Sequence, residues 1–463
     1  MPFSVQNTYV IEKIEKCPVC KNEGRHLYLK DSAYHVSKRD GDQYVVSFEW
    51  ADPKLASLHP FYFNYWFCTN CYFTEERSHF LKNNSVNVGP LWQSLVDTYK
   101  KVAETDEVIR KLGSNINYPI GDFLSALNLH YLALYIQLLP AEYNRDLKKL
   151  ARYYHRLAWM FRLDNQKSHK NDDEVNLQHF SEKFDAFQSN YMNTLSSLED
   201  FNSWLEKEIE TEKKLNHPGW AEYEDQFKNL YKNTSIHLDK IMENIQAYHS
   251  LKLEYQKKHG NVYNSHLNEP FGGYSHYHAF LQELSQKWPG LPTTEILALR
   301  QTIEYYKAII SSRLMESEKL KLFQIYWMVI QLNFRLEEYN EVLSFGRNLI
   351  MRAENFKNAA QRKLKSLEVI KDDRVDQAAI HKQIKKVSEM IKRVSHILKQ
   401  AQEQKREQEI KLARELYTNH RDLSIEELSA LFRQNGISSA IQKIFLEEKK
   451  KENKKGIFQI FKL

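Results

Sequence analysis

Two pairs of cysteines constrain this chain more than any other feature of its 463 residues. All four cysteines lie near the N-terminus, as CPVC at residues 17–20 and CTNC at residues 68–71. A CxxC knuckle places two thiolates on one side of a tight turn, and two knuckles together supply the four ligands of a tetrahedral Zn²⁺ ion. Four thiolates close the coordination sphere against water, so the pattern predicts a structural zinc site. The predicted ligands are Cys17, Cys20, Cys68 and Cys71.

Two other uses of the cysteines remain open, namely a pair of disulfides and a redox dithiol. Disulfides need an oxidising compartment, and the N-terminal segment MPFSVQNTYVIEKIEK has neither the basic nor the apolar region of a secretory signal. A redox CxxC motif would not need a second pair. We therefore favour zinc, one shared ion rather than two separate turns, and a cytoplasmic location.

Short aromatic and β-branched runs surround the knuckles. The runs 44–50 and 62–67 predict strands of a small sheet beside the metal. Between the knuckles, Arg39, Asp40 and Asp42 form a polar group that we expect to orient the strands around the zinc. Residues 1–90 are therefore predicted to form a zinc-ribbon-like module.

From about residue 91 the apolar residues recur at three- and four-residue spacing, which predicts a helical array to residue 356. The segment 326–350 looks like a degenerate tetratricopeptide repeat, with Glu337 at the usual small-residue turn position and Val342 at the usual alanine. Residues 259–292 are the most irregular stretch. The helices expected in this array cover 121–139, 142–163, a segment from Phe180, 220–258, a segment from Thr294, and two that pack together within 317–353.

The last part of the chain predicts a coiled-coil helix over 357–421, a short helical pair over 422–448 and a tail over 449–463. A heptad seam covers 380–401, which either pairs with another chain or folds back on the apolar face of 356–370. Its a positions are Ile384, Ile391 and Leu398, and its d positions are Ile380, Val387, Val394 and Ala401.

Two further features mark the C-terminal helices. Ser424 and Glu427 form a capping-box pair that opens a short helix, Gly436 closes it, and another helix is expected over 438–448. The apolar residues of 456–463 follow a basic stretch. They suit a partner groove or peripheral membrane contact, or they fold back on their own domain.

Charge is unevenly distributed. Residues 357–463 hold 25 Lys and Arg against 15 Asp and Glu, a net charge of +10 in a chain whose total is +6. Such a segment can bind nucleic acid, which makes a nucleic-acid-binding zinc-ribbon protein the second hypothesis. Against it, these charges alternate with acids along a heptad helix, and the zinc module itself carries acidic residues. Those residues are Glu49, Asp52, Glu75 and Glu76.

No catalytic motif is recognised, and we expect no catalytic residue. Glycine is scarce, at 13 residues, which counts against nucleotide-cradling loops, and no apolar window of about 18 residues predicts a membrane span. A second metal site could use the histidines between 259 and 278, but satisfied histidines are the favoured interpretation. These histidines are His259, His266, His276 and His278.

Five motifs follow one another along the first part of the chain, namely CPVC at 17–20, RDGD at 39–42, HPFY at 59–62, FCTNC at 67–71 and LAWMFR at 157–162. Their order resembles that of a bacterial family, the domain of unknown function 2225. The resemblance covers about residues 10–165 and extends weakly to 350. It implies a cysteine-knuckle head followed by tetratricopeptide-like helices, with no assigned enzymatic activity. This chain departs from the family pattern at Thr69, where proline is usual, and at Tyr72, where glycine is common.

Together these features predict a mainly α protein with a small zinc-ribbon-like β module, a tetratricopeptide-like helical array and a C-terminal coiled-coil or helical tail. The expected function is that of a non-enzymatic, zinc-containing scaffold or assembly subunit in a bacterial cell. It would bind a protein partner through the helical repeats and the coiled coil, with self-association through 380–401 as one form of that binding.

Overall fold

The chain forms two compact units in the computed structural model, Met1–Tyr305 and Tyr306–Leu463. Most of the residues are helical, and the strands lie near the N-terminus, so the predicted mainly α fold is confirmed. The structure describes residues 9–55, 58–81, 89–167, 201–211, 213, 224–226, 228–236, 265–312, 315–370 and 377–460.

In the described part of the first unit, the named strands form three antiparallel hairpins rather than one small sheet. The predicted strand over 62–67 is shorter than expected, because Pro60–Phe63 form a 3₁₀ turn and leave only three residues extended. The CPVC and CTNC knuckles are themselves the turns of two hairpins. The paired strands are β1 (Val10–Lys16) with β2 (Glu23–Leu29), β3 (Tyr34–Arg39) with β4 (Val45–Trp50), and β5 (Tyr65–Phe67) with β6 (Thr74–Glu76).

Besides the helical residues described within 201–236, seven helices follow the hairpins along the described chain up to residue 311, and the last of them crosses from the first unit into the second. One of them lies inside 259–292, the stretch predicted to be the most irregular of the array. Its N-terminus is capped by the His276 side chain, which accepts from the Ala279 amide. The helices are α1 (Arg77–Phe80), α2 (Pro90–Val102), α3 (Glu107–Gly113), α4 (Phe123–Leu138), α5 (Leu147–Lys167), α6 (Tyr277–Lys287) and α7 (Glu295–Ser311).

Helices α4 and α5 confirm the predicted helical pair, with one shift at the start of α5. Asp122 caps α4 by accepting from the Ser125 amide. Helix α5 begins at Leu147, later than expected, because its cap is Asp146, whose carboxylate accepts from the amides of Lys148 and Lys149. The intervening residues form a short 3₁₀ turn instead.

One continuous hydrophobic core joins the hairpins to the helices of the first unit. Helix α4 is apolar on nearly every face, and 14 of its 16 residues are buried, which makes it the central helix. The buried sulfurs of Cys17 and Cys68 belong to the same core as Leu127 of α4 and Leu157 of α5. The cysteine module is thus packed onto a helical support.

The second unit is helical throughout its described residues. The predicted pair within 317–353 is present as α8 and α9, joined at Glu337, whose φ of 59° lies in the left-handed region where small residues are usual. Val342 is fully buried between them. The helices of this unit are α8 (Lys319–Arg335), α9 (Tyr339–Ile370), α10 (Gln377–Asn419), α11 (Ile425–Gln434) and α12 (Ser439–Ile460).

The heptad seam of α10 packs against α9 of the same chain. All four d residues are buried, and Ile380 joins Leu364 and Leu367 of α9 in one apolar cluster. Gly346 of α9 allows a close approach, because a Cβ at that position would lie 2.4 Å from Leu398 Cδ2. The fold-back arrangement is therefore the one adopted within the chain.

The C-terminal helices form a small core with the end of α10. The Ser424–Glu427 capping box is present, and Gly436 takes a φ of 70°, as expected for a helix end. Helix α12 continues to Ile460, beyond the predicted helix over 438–448, because its Lys- and Glu-rich continuation has high helix propensity. The cluster comprises Ala413, Tyr417, Leu428, Phe432, Ile437, Ile441 and Phe445.

Some expectations fall on residues that the structure does not describe. The helix expected from Phe180 is described only at 201–211 and 213, and that over 220–258 only at 224–226 and 228–236, all helical. The five-part division of the chain stays a prediction. Within the described ranges, none of the helices has an apolar stretch of the length and hydropathy needed to span a membrane.

Candidate metal centre

The first knuckle is a turn fixed by its own backbone. The Cys17 amide donates to Asn22 O at 2.9 Å, and the Lys21 amide donates to Cys17 O at 3.1 Å. The Val19 amide points at Cys17 Sγ, 3.4 Å away. Lys21 closes the turn with a φ of 65°.

The second knuckle repeats this geometry. The Cys68 amide donates to Phe73 O at 2.9 Å, and the Tyr72 amide donates to Cys68 O at 2.7 Å. Tyr72 has a φ of 62° at the position that matches Lys21. The turn requires a left-handed backbone conformation at this position, and glycine adopts that conformation without steric cost.

The four sulfurs meet between the two hairpin turns. All four Sγ atoms lie within 4.8 Å of one another, with Cys17 Sγ 3.6 Å from Cys71 Sγ and Cys20 Sγ 3.5 Å from Cys68 Sγ. A tetrahedron with Zn–S bonds of about 2.3 Å has edges of about 3.8 Å, close to these values. The cysteines are free thiols rather than disulfides. The cluster is compatible with a metal ion.

The electrostatics of the cluster favour a cation at its centre. The hydrogen bond with Cys68, together with burial, raises the pKa of Cys17 to about 12. Hydrogen bonds with Cys17 and Cys68, again with burial, raise the pKa of Cys71 well above its usual range. Hydrogen bonds from Cys17 and Cys71 instead lower the pKa of Cys68, although burial opposes its ionisation. Because one ionised thiol resists the ionisation of its buried neighbours, a divalent cation would supply the charge that four thiolates need.

Helices hold the second knuckle from behind. The Tyr99 hydroxyl of α2 donates to Cys71 O at 2.6 Å. Gly113 of α3 lies directly against Tyr72, since a Cβ on that glycine would come within 2.3 Å of the tyrosine Cγ. The ring of Tyr72 in turn stacks on Phe67 at 5.9 Å. The cysteines of the second knuckle are thus positioned by helix packing as well as by their own turn.

The sequence predicts that Arg39, Asp40 and Asp42 orient the strands around a metal, but their observed contacts are with their own turn and with α5. Arg39 donates to Gln43 O in its own turn, and Asp40 accepts from Arg162 Nη1 at 3.3 Å.

Asp42 is buried against α5. Its carboxylate accepts from Arg162 Nη1 and Nη2 at 3.0 and 2.7 Å and lies 3.3 Å from His155 Nε2. Arg162 also donates to Glu295 at 2.8 Å. Although burial opposes ionisation, the hydrogen bonds from His155 and Arg162 hold the pKa of Asp42 well below its usual range. The motif therefore fastens the β3–β4 hairpin to the helices.

A second buried carboxylate follows the CTNC knuckle. Glu75 is fully buried, and its Oε2 accepts from Lys149 Nζ at 2.8 Å and from Gln137 Nε2 at 2.9 Å. The Tyr153 hydroxyl donates to its other oxygen. Burial of a charge is tolerated only with such complete pairing, so Glu75 ties β6 to α4 and α5.

Glu76 faces the opposite way and is paired by two arginines of α5. Arg152 donates from Nε and Nη2 at 2.8 and 2.7 Å, and Arg156 donates from Nη1 at 2.6 Å. His79 Nδ1 lies 3.3 Å from the same carboxylate. Burial works against ionisation, but His79, Arg156 and Arg152 together lower the pKa of Glu76 to about 2. Glu75, Glu76 and His79 form a second group at metal-binding distance. Its two carboxylates are already paired with the basic side chains of α5.

The histidines of the irregular stretch are engaged in structural contacts. His266 lies 2.7 Å from Glu269 and stacks on Phe123, and His276 caps α6. The ring of His278 lies 6.3 Å from that of His276. Among the described residues these histidines are not part of a metal-binding group, and His259 lies outside the described ranges.

Sequence reasoning missed the ionic network on α5. Lys149, Arg152 and Arg156 recur at three- and four-residue spacing, so they share a helix face with buried residues. A row of basic residues beside apolar positions, together with the adjacent Glu75 and Glu76, could have indicated buried ion pairs.

These features define a class: a mainly helical protein whose N-terminal hairpins carry a four-cysteine cluster packed onto a helical unit. The chain belongs to the family described as "Uncharacterized protein conserved in bacteria (DUF2225)", which it matches over residues 10–256. That match confirms the predicted resemblance. No curated protein and no solved structure matches the chain.

Proposed function

We propose that this chain is a non-enzymatic, cytoplasmic protein-interaction scaffold or assembly subunit, in which a structural Zn²⁺ ion stabilises the N-terminal module. The closed set of four cysteine sulfurs between two matching knuckles carries the proposal. A tetrahedral all-sulfur set selects zinc or iron–sulfur chemistry, and four protein ligands leave no open position for a substrate.

The pairing of the buried acids also supports a structural role. Asp42, Glu75 and Glu76 each face Arg or Lys side chains at hydrogen-bond distance. A catalytic carboxylate is instead kept poised to exchange a proton. These acids serve to fasten hairpins onto helices.

Binding of a protein partner is assigned to the second unit. Met351, Leu412 and Ile444 are large apolar residues with exposed fractions of 55, 37 and 45 %. A cavity of about 300 Å³ lies beside Ile444, with Leu343 and Lys405 among its lining residues. Exposed apolar side chains bordered by charge are typical of protein contact surfaces. Self-association through 380–401 would have to use the half-buried a positions, because α9 covers the d positions.

Two measurements on the purified full-length chain test this proposal. Plasma mass spectrometry should find one zinc ion per chain, and Cys68→Ser should lose it. Cross-linking in cells should capture a protein partner, and the variant Met351→Glu/Ile444→Glu should lose that partner.

Ile14→Glu is the matched control, because Ile14 is 61 % exposed in the first unit. It should retain both the zinc and the partner. Absence of zinc after anaerobic purification would contradict the metal assignment. A partner retained by the double variant would contradict the assigned surface.

A nucleic-acid-binding function is a second candidate, favoured by one observation. Lys382, Lys385, Lys386, Lys392 and Arg393 are all exposed on successive turns of α10. Binding through such a stripe would fall steeply with salt, because each neutralised phosphate releases a counterion. An oligonucleotide titration at rising salt distinguishes the two functions: a steep decrease in affinity supports this candidate, and no binding at low salt excludes it.

A further inference from the structure

A basic, open cavity lies on the first unit, and none of the four cysteines lines it. Its volume is about 630 Å³, and it is bordered by the end of β6, by α1 and by α5. Three arginines line it, together with one histidine and a single carboxylate. These residues are Arg77, Arg152, Arg156, His79 and Glu76.

Arg77 is the side chain of this group that is most available to a ligand. It is exposed, and its guanidinium lies over the ring of Tyr28, with Cζ 3.7 Å from the ring centroid. Within the described ranges no carboxylate pairs with it. Stacking fixes the plane of a guanidinium while leaving its edge N–H groups free to donate. Arg77 is therefore a pre-oriented donor at the cavity wall.

Arg152 and Arg156 are held in place by Glu76. That carboxylate binds Nε and Nη2 of Arg152 and Nη1 of Arg156, although each guanidinium carries five N–H donors. The two side chains keep exposed fractions of 40 and 21 %. Glu76 thus orients both arginines without using all of their donors.

The charge balance identifies the kind of ligand. Three guanidinium groups face one carboxylate across the cavity, which leaves two positive charges without a matching negative charge among the lining residues. A cation at the Glu75–Glu76–His79 group would have to displace Lys149, Arg152 and Arg156 from their bonds. The cavity suits an anion instead.

We propose that this cavity binds a small oxyanion, a phosphate- or carboxylate-bearing molecule, with Arg77, Arg152 and Arg156 as its binding residues. Guanidinium groups recognise both anions through paired, charge-assisted hydrogen bonds. Its lining residues include none of the four cysteines and none of the residues assigned to the protein partner.

Isothermal titration of the full-length chain with inorganic phosphate, pyrophosphate and citrate tests the proposal. At least one probe should bind saturably at one site per chain, and comparison of pyrophosphate with citrate identifies phosphate or carboxylate as the preferred group. Arg77→Ala should weaken that binding by about 10- to 100-fold, the loss expected for a hydrogen bond to a charged group.

Arg110→Ala is the matched control, because Arg110 is also exposed in the first unit but lies on α3, outside the cavity lining. It removes the same charge and should leave binding unchanged. Circular dichroism checks that both variants are folded. Failure of all three probes to saturate, or an equal loss in both variants, would overturn the proposal.

Discussion

At the scale of single residues, the two left-handed positions show how the knuckles tolerate an unusual sequence. Lys21 and Tyr72 both take φ values that favour glycine. At Tyr72 the ring offsets this cost by packing against Phe67 and α3. The departure from the family pattern at this position therefore exchanges backbone freedom for side-chain packing.

His130 provides a pH-dependent prediction at the same scale. It is buried in α4, with Nδ1 2.8 Å from Ala126 O and Nε2 3.3 Å from Asn64 Nδ2, an arrangement that suits the neutral ring. Burial lowers the pKa of His130 to about 3. Because the folded pKa lies below the unfolded value of about 6.5, the stabilising contribution is complete above pH 6.5 and is lost as the pH falls toward 3.

When the pH falls from 7.5 to 5.5, we expect the titration of His130 to lower the free energy of unfolding by about 1.4 kcal/mol. His130→Gln should flatten the pH dependence by that amount. Urea unfolding in zinc-containing buffer, followed by tryptophan fluorescence, measures it, since seven of the eight tryptophans precede residue 306. Parallel pH profiles for the two proteins would refute the prediction.

At the scale of elements, the packing of α9 against α10 depends on one glycine. Gly346 is buried where Leu398 approaches it. Gly346→Leu should lower the stability of this helix pair by about 1–3 kcal/mol, because a larger side chain forces the helices apart. Hydrogen exchange of α9 and α10 peptides in the full-length chain should speed up accordingly.

Ser344→Leu serves as the comparison, because Ser344 is exposed on the same helix. It introduces the same side chain without entering the α9–α10 contact. Equal exchange rates in the two variants would show that Gly346 is not a packing position.

Elements with strong local signals could be predicted from the sequence, and those set by tertiary contacts could not. The capping box at Ser424 and the seam of α10 are local patterns, and both are present. The start of α5 was misplaced because Asp146 caps it, a competition that periodicity does not reveal. Likewise, Glu75 gives no sign in sequence that it will be buried, because its partners lie 62 to 78 residues away.

The candidate metal site was more predictable than its surroundings. Ligand type and spacing identify the four cysteines directly. The role of Asp42 could not be predicted from local sequence, because its partners His155 and Arg162 lie more than 100 residues further along the chain.

At the scale of the whole molecule, removal of the metal should destabilise the first unit and leave the stability of the second unit unchanged. A high-affinity zinc chelator at neutral pH should destabilise the hairpins and the core they share with α2–α5. Hydrogen exchange should then rise in peptides of β1–β6, with α9 and α10 unchanged. The untreated chain and a sample given chelator with excess zinc are the controls; uniform protection throughout would contradict a structural metal.

The length of helix α10 sets the spacing between two apolar clusters of the second unit. Its 43 residues extend about 64 Å, and two separate apolar clusters hold its ends, one near Ile380 and one near Tyr417. Deleting one residue between Ala401 and Ala413 would turn the second cluster by about 100° relative to the first. An insertion of seven residues there would leave the two clusters on nearly the same face of the helix and would lengthen the helix by about 10 Å. Length changes that leave both clusters in place should therefore comprise seven or eleven residues rather than one or two.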